Sequence, residues 1–433
     1  MHKLLQRLKR SISVSSPCHL PRPLPGRLLY AVNHCYPFSS NGYAVRTHGV
    51  ATALVRAGVH VIAASRPGMP WDKQLVEAGE FSYSNTIDGV RYLHRSTPSA
   101  HVGTFEDYLT ACVDAWTEII QVFKPSVVMV ASNWHTALPV AIAARELNMP
   151  FFYDVRGFWE ISRVARDPQW MGSLEYQQAV ACETQLARCA HKVFTLNRFM
   201  QDELMRRGVE AERVALVPNG FPGRQMASAT QRSRQTEGIK ARYVVGYIGS
   251  FNAYEGLELL IEALALLHHQ RGMDVALLLV GSSESNGFET GQDCPATQSY
   301  RQLAHNLGVA DFLFMPGRVN PELASAYYAL LDIVVIARRP LSVCELVSPM
   351  KPLEAAAHGK QVLMSDVAPL ADLAEVSNSF HYFAKGSVKA LADKLAELLV
   401  AGNFSPPRPA GLDTLQWEHT VQPMVRAIQA MTA

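Results

Sequence analysis

The feature that constrains this chain most is a twice-repeated alternation of short apolar runs with segments of helical periodicity. The first series is RLLYAVN (27–33), VHVIAAS (59–65), SVVMVAS (126–132), FFYDV (151–155), KVFTL (192–196) and RVALV (213–217), with helical spacing between several of them, notably over 173–190 and 198–207. The second is YVVGYIG (243–249), VALLLVG (275–281), FLFMPG (312–317), IVVIAR (333–338), QVLMSD (361–366) and HYFA (381–384). Strands that alternate with helices build a parallel, doubly wound sheet, so two series predict an α/β chain with two such sheets. The length of 433 residues agrees, since single cores stop growing near roughly 250–300 residues. The expected organisation is a basic tail at 1–26, a first domain at 27–220, a linker at 221–241 with few large apolar residues, and a second domain at 242–413. A closing helix at 414–433, beginning near Trp417, is expected to pack back on the first domain.

With 48% apolar and 18% charged residues the chain is neither disordered nor collagen-like. No uncharged apolar run has the length of a transmembrane helix. The seven cysteines (Cys18, Cys35, Cys112, Cys182, Cys189, Cys294, Cys344) include no Cys-x-x-Cys pair, which points to a reducing, cytoplasmic setting without a disulfide framework or zinc site. Charge is distributed unevenly: nine basic residues precede the first acidic one, Asp72. Among them, MHKLLQRLKRSI sets Leu4, Leu5, Leu8 and Ile12 at helical spacing, either as a helix that lies on an anionic membrane or as a frayed soluble tail. Nothing in the sequence points to nucleic acid.

Open parallel sheets bind ligands outside the carboxyl ends of their strands. In the second series those ends carry Gly249-Ser250, Gly281-Ser282, Gly317-Arg318 and Arg338-Arg339, followed by CELVSPMKPLEAAAHG. Glycine there lets an oxyanion approach backbone N–H groups. Arg338, Arg339 and Lys351 supply cations, and Glu354 stands one helical turn beyond Lys351, a set that suits a nucleoside diphosphate. The plainer alternatives are a solvated arginine pair and a carboxylate favoured by a helix N-terminus. Neither G-x-G-x-x-G nor G-x-x-x-x-G-K-[ST] occurs, and there is no Asp-x-Asp for a metal-bridged diphosphate. Basic side chains and helix dipoles are therefore expected to do the neutralising, without metal.

From about residue 27 to 430 the chain resembles the retaining glycosyltransferases of family 4, which have the GT-B architecture of two facing Rossmann-like domains. The resemblance rests on SSNGYAVRTHGV, NWHTALPVAIAA, YDVRGFWE, VPNG, GYIGSFNAYEGLELLIEAL, GRVNPELASAYY and CELVSPMKPLEAAAHGKQVLMSDVAPL, in that order. PMKPLEAAAHG with YEGLELL is similar to the branch found in bacterial exopolysaccharide and capsule synthesis. The resemblance implies transfer from a UDP- or GDP-linked sugar to a glycan or lipid-linked acceptor, with retention and no cofactor. It implies that Gly249 and Ser250 face the phosphates, Arg318 and Val319 flank the base, and Glu354 binds the ribose. Asn41 and Gly42 approach from the first domain, His135 and Glu160 orient hydroxyls of donor or acceptor, and Arg156 stands where many members have a histidine near the transferred sugar. Many members carry Arg or Lys at the positions of Ser250 and Glu255, so Arg338, Arg339 and Lys351 are expected to replace those cations. Glu345 corresponds to the donor-sugar glutamate only if one extra residue before Glu354 is absorbed near Pro349. A nucleotide-sugar epimerase or hydrolase, or a noncatalytic scaffold of the same fold, are the alternatives.

Overall fold

The computed structural model describes residues 2–9, 23–75, 82–221, 232–283, 295–320, 323–376, 379–404, 406 and 410–431. They fall into two compact units, Met1–Asn219 with Trp417–Ala433, and Gly220–Gln416.

The first unit holds an eight-stranded sheet: β1 Arg27–Val32, β2 His60–Ser65, β3 Ser82–Ile87, β4 Val90–Arg95, β5 Val127–Ala131, β6 Phe151–Val155, β7 Lys192–Thr195 and β8 Val214–Leu216. Their order is β3-β4-β2-β1-β5-β6-β7-β8, so the winding reverses between β1 and β5. Six of these strands are the apolar runs of the first series. The exceptions are β3 and β4, an antiparallel hairpin that makes this edge of the sheet non-parallel. β3 alternates exposed with partly buried residues and β4 buried with more exposed ones, and continuous apolar runs miss such strands. The legible signal was Asp88-Gly89 between the two runs, both residues at positive φ, the pattern of a tight hairpin turn.

The N-terminal helix, His2–Lys9, corrects the expectation of a frayed tail over these residues. Leu4 and Leu8 are buried against the helices Trp134–Glu146 and Leu174–Cys189, and Arg7 makes a two-pronged bond to Glu146 at 3.0 Å. Two of the expected apolar positions, Leu4 and Leu8, are thus taken up by the unit's own helices, and Leu5 is half-buried. Three more of the nine cations are paired: Arg46 with Asp154, Arg56 with Glu418 and Arg66 with Asp72. Ile12, Arg10 and Arg22 lie outside the described residues. At the other end, the short helices Trp417–Thr420 and Gln422–Ala430 belong to this unit. Trp417 seats on the helix Gly42–Arg56 at Gly49, where a Cβ would fall 2.2 Å from its indole nitrogen.

The second unit holds a six-stranded, wholly parallel sheet: β9 Tyr243–Ile248, β10 Val275–Val280, β11 Leu313–Gly317, β12 Ile333–Ile336, β13 Gln361–Ser365 and β14 Phe380–Phe383. The order is β11-β10-β9-β12-β13-β14, reversing between β9 and β12. Of the expected linker, 222–231 lie outside the described residues, whereas 232–241 are part of this unit. Ile239 is buried, and Arg234 reaches the Asp332 carboxylate at 2.7 Å. Much of NFSPPRPAG also lies outside the described residues, as do Cys18 and Cys294; the other five cysteines are free thiols. No described helix is long and apolar enough to cross a membrane.

Candidate functional site

Ligands of doubly wound sheets lodge where the strand order reverses, and in the second unit that point lies past the ends of β9 and β12. The chain leaves β9 at Gly249 with φ +151°, a conformation that other residues rarely adopt, and a Cβ there would come within 2.2 Å of Lys351 Cε. Lys351 opens the helix Lys351–Ala357, with Pro352 in the first turn where its missing N–H costs nothing. Its ammonium lies 3.2 Å from Glu255 Oε1 and 5.2 Å from the centre of the Tyr247 ring. Arg338, two residues past β12, approaches the same oxygen at 3.6 Å and donates to the Val347 carbonyl at 2.6 Å. Glu255 is almost wholly buried. Burial alone would raise its carboxyl, but Lys351 and Arg338 outweigh it and hold the group below the ordinary glutamate range. Two cations facing one carboxylate leave a net positive charge beside the glycine. Glu354 sits a turn beyond Lys351, half-buried, its carboxyl raised by burial against the opposing pull of Lys351. Among the described residues no group hydrogen-bonds or ion-pairs with that carboxylate.

The other expected donor residues are placed differently. Arg339 turns away from its neighbour and pairs with Glu258, its side chain 46% exposed. Glu345 accepts from the backbone N–H of Ala368 at 2.9 Å and from Lys385 at 2.6 Å, which occupies the carboxylate proposed for the donor sugar. Ser250 contributes its carbonyl, which accepts from the Tyr247 hydroxyl at 2.9 Å. Arg318 and Val319 follow β11, two strands from β9 and half-buried; burial lowers the pKa of Arg318.

In the first unit the reversal lies between β1 and β5. After β1, Asn41 caps the helix Gly42–Arg56 by accepting from Ala44 N at 3.1 Å, and lies equally close to His34 Nε2. Burial lowers His34 to about 4, against the opposing hydrogen bond from Asn41, so the ring is neutral at pH 7. A Cβ on Gly42 would meet nothing within 4 Å, leaving open space at the helix start. After β5, His135 has its ring 4.9 Å from Phe105 and 5.1 Å from Trp159, and burial lowers it to about 4.

Arg156 does not present a free cation. It donates to Asp154 at 2.8 Å, to the Tyr43 carbonyl at 2.9 Å and to Thr47 at 2.8 Å, and its guanidinium lies 4.4 Å from the Tyr43 ring centre. Asp154, fully buried, also faces Arg46 at 3.4 Å and accepts from the Tyr30 hydroxyl at 2.5 Å. Burial would raise Asp154, and the two arginines hold it below the ordinary aspartate range. Glu160 is likewise drawn into the interior, with no exposed surface and a 2.6 Å bond from Arg207. Neither side chain is free to orient a sugar hydroxyl.

Residues 41–220 match the model of the glycosyl transferase 4-like domain, and residues 242–400 that of the glycosyl transferases of group 1. The chain is a glycosyltransferase built of these two domains, with the GT-B fold. No curated protein sequence matches this glycosyltransferase significantly. Its fold is shared with solved structures at low identity. A sucrose-phosphate synthase from Thermosynechococcus elongatus is 16% identical, with a TM-score of 0.67 over 94% of this chain and 96% of that one. HepE of Anabaena in complex with UDP-glucose is 16% identical, with a TM-score of 0.61 over 94% and 98%. The catalytic domain of starch synthase IV from Arabidopsis thaliana, bound to ADP and acarbose, is 12% identical, with a TM-score of 0.63 over 94% and 99%.

One group in the glycosyltransferase that sequence reading missed is Glu183, buried behind the His135 helix. It accepts from the Trp134 backbone N–H at 2.8 Å and from the Tyr153 hydroxyl. Burial and the neighbouring Glu160 raise it to about 8. A raised carboxyl keeps its proton in the folded state where the unfolded chain has lost it. Stability is therefore full below the ordinary glutamate pKa and falls as pH rises through about 8. Thermal midpoints measured from pH 5 to 8.5 are expected to decline less in Glu183→Gln than in the native chain; parallel curves would remove Glu183 as the source.

Proposed function

We propose that this enzyme transfers a sugar from a nucleoside-diphosphate sugar, UDP- or GDP-linked, to a glycan acceptor, with retention and without metal assistance, in the cytoplasm. The observation that carries the reading is the convergence of Gly249, Lys351, Arg338 and the unpartnered Glu354 carboxylate at the β9/β12 reversal. Breaking the bond from C1 to the diphosphate builds negative charge on the leaving phosphate, and a preorganised cation stabilises that charge more than the ground state. Lys351, partly exposed and held by Glu255, meets that need, while Glu354 has open lone pairs for vicinal ribose hydroxyls. Retention follows from the family resemblance. HepE, with the same fold, was solved with UDP-glucose, which supports the donor class. A bilayer-borne acceptor is less well supported than the sequence suggested, because Leu4 and Leu8 of the N-terminal helix are buried and four of the nine cations are paired.

Thermal shift with a panel of nucleotide sugars, followed by transfer assays with the stabilising donor, tests the proposal. A donor that binds only the folded state raises the midpoint, and transfer should persist in excess chelator. Hydrolysis without transfer would favour a hydrolase, and no shift with any donor would favour a scaffold. Glu354→Gln is expected to weaken donor binding about tenfold or more, because hydrogen bonds to a charged acceptor contribute roughly 1.5–3 kcal/mol. Unchanged donor affinity in that variant would remove Glu354 from the ribose site.

A further inference from the structure

Beyond the donor site, the first unit carries an unbroken chain of aromatic rings at the carboxyl edge of its sheet. Phe105 meets His135 at 4.9 Å, His135 meets Trp159 at 5.1 Å, and Trp159 meets Trp170 at 5.5 Å, mostly edge to face. The elements that hold them are separate in sequence: the start of the helix Phe105–Phe123, the first turn after β5, and the short helix Trp159–Val164 after β6. Trp170 is buried, Phe105 is 43% exposed, and His135 and Trp159 are half-buried, so part of the surface of these three outer rings reaches solvent.

Arg163 completes the group. Its guanidinium lies 4.2 Å from the centre of Trp170 and 5.5 Å from that of Trp159. Among the described residues no carboxylate, carbonyl or hydroxyl accepts from it, although it is half-buried. A guanidinium held against rings keeps its edge N–H groups in a fixed plane, which suits two-pronged contact with the paired oxygens of a carboxylate or a phosphate. Aromatic faces carry negative quadrupole density, and the C–H faces of a pyranose ring complement them.

We propose that this is an acceptor subsite for an acidic glycan, in which a uronic acid ring lies against Trp159, its carboxylate on Arg163 and a hydroxyl on His135. The proposal rests on the transferase reading above and names the acceptor class for it. An anionic bilayer fits the same surface less well. The exposed Glu106 and Asp107 at the start of the Phe105 helix, with Asp167 and Glu175 before and after Trp170 in sequence, would meet an extended sheet of negative charge, whereas one carboxylate contacts Arg163 alone.

The test is a tryptophan-fluorescence titration of the full chain with galacturonate and glucuronate oligosaccharides, each beside its methyl ester, which keeps the sugar and removes the charge. The acids are expected to bind at least tenfold tighter than their esters. Arg163→Gln should erase that preference by weakening only the acids, and Trp159→Ala should weaken both. Equal binding of acids and esters, binding of neither, a preference that survives Arg163→Gln, or a signal with phosphatidylserine vesicles alone would each overturn the assignment. The donor thermal shift is measured on the same samples. A chain that shifts with donor but ignores uronates refutes the acceptor class only, and one that responds to neither refutes the transferase reading as well.

Discussion

Lys351→Met is expected to lower the transfer rate by a factor of about 10² to 10³, roughly 2.7–4 kcal/mol, on the scale of removing one preorganised donor from an oxyanion site. Methionine keeps a chain of similar length lying across Gly249, so packing at the close approach is retained while the ammonium is lost. The carboxylate of Glu255 keeps Arg338 as a counter-ion, so the fold should not suffer an uncompensated buried charge. The loss belongs mainly to the transition state, in which charge on the leaving diphosphate is greatest, so donor affinity should fall much less than turnover. Arg339→Ala makes the contrast. Its side chain is exposed and paired with Glu258, and transfer should stay within about twofold of the native rate. Equal rates for Lys351→Met and the native chain would take the lysine out of the site.

Asp154→Ala is expected to produce the largest loss of stability, about 3–5 kcal/mol, the range found when one partner of a buried ion pair is removed. Arg46 and Arg156 both face this carboxylate in the core of the first unit, and alanine would leave two buried guanidinium groups with only neutral acceptors: backbone carbonyls, a hydroxyl and the Asn219 amide oxygen. Against a typical total of about 5–15 kcal/mol, that loss can unfold the unit. Asp154→Asn retains the shape and a partner for the Tyr30 hydroxyl, so it provides a folded variant in which the missing charge is read by urea denaturation. Because Asp154 lies below its ordinary range, its contribution is present above the unfolded-state pKa and is lost as pH falls through the lower folded value. Denaturation midpoints that match the native chain in both variants would contradict the account of this cluster.

Much of the architecture was legible because buried parallel strands must be apolar on both faces. Twelve of the fourteen strands are those continuous runs, and the hairpin of β3 and β4 was missed because one of its faces meets water. The core of the candidate donor site was legible for a related reason. Gly249 directly follows a strand, and Lys351 and Glu354 share a helical face, relations fixed by local geometry. Glu255 was noticed only as a departure from the family pattern, and only its contacts show it gripping Lys351 and Arg338.

What the tertiary structure alone decided is where charge is free and where it is matched. Arg338 and Arg339 are neighbours in sequence, yet one turns into the site and the other onto Glu258. Arg156 stands after a strand where the family resemblance sets a residue near the transferred sugar, but Asp154 and Tyr30 enclose it. The basic first stretch reads as a field aimed outward, while Glu146, Asp154 and Glu418, contributed by later parts of the chain, meet three of its arginines. Apolar patterning is a property of consecutive residues and survives in the sequence. Coulomb energy depends on distance in space and on burial, and those are settled only when the chain is folded.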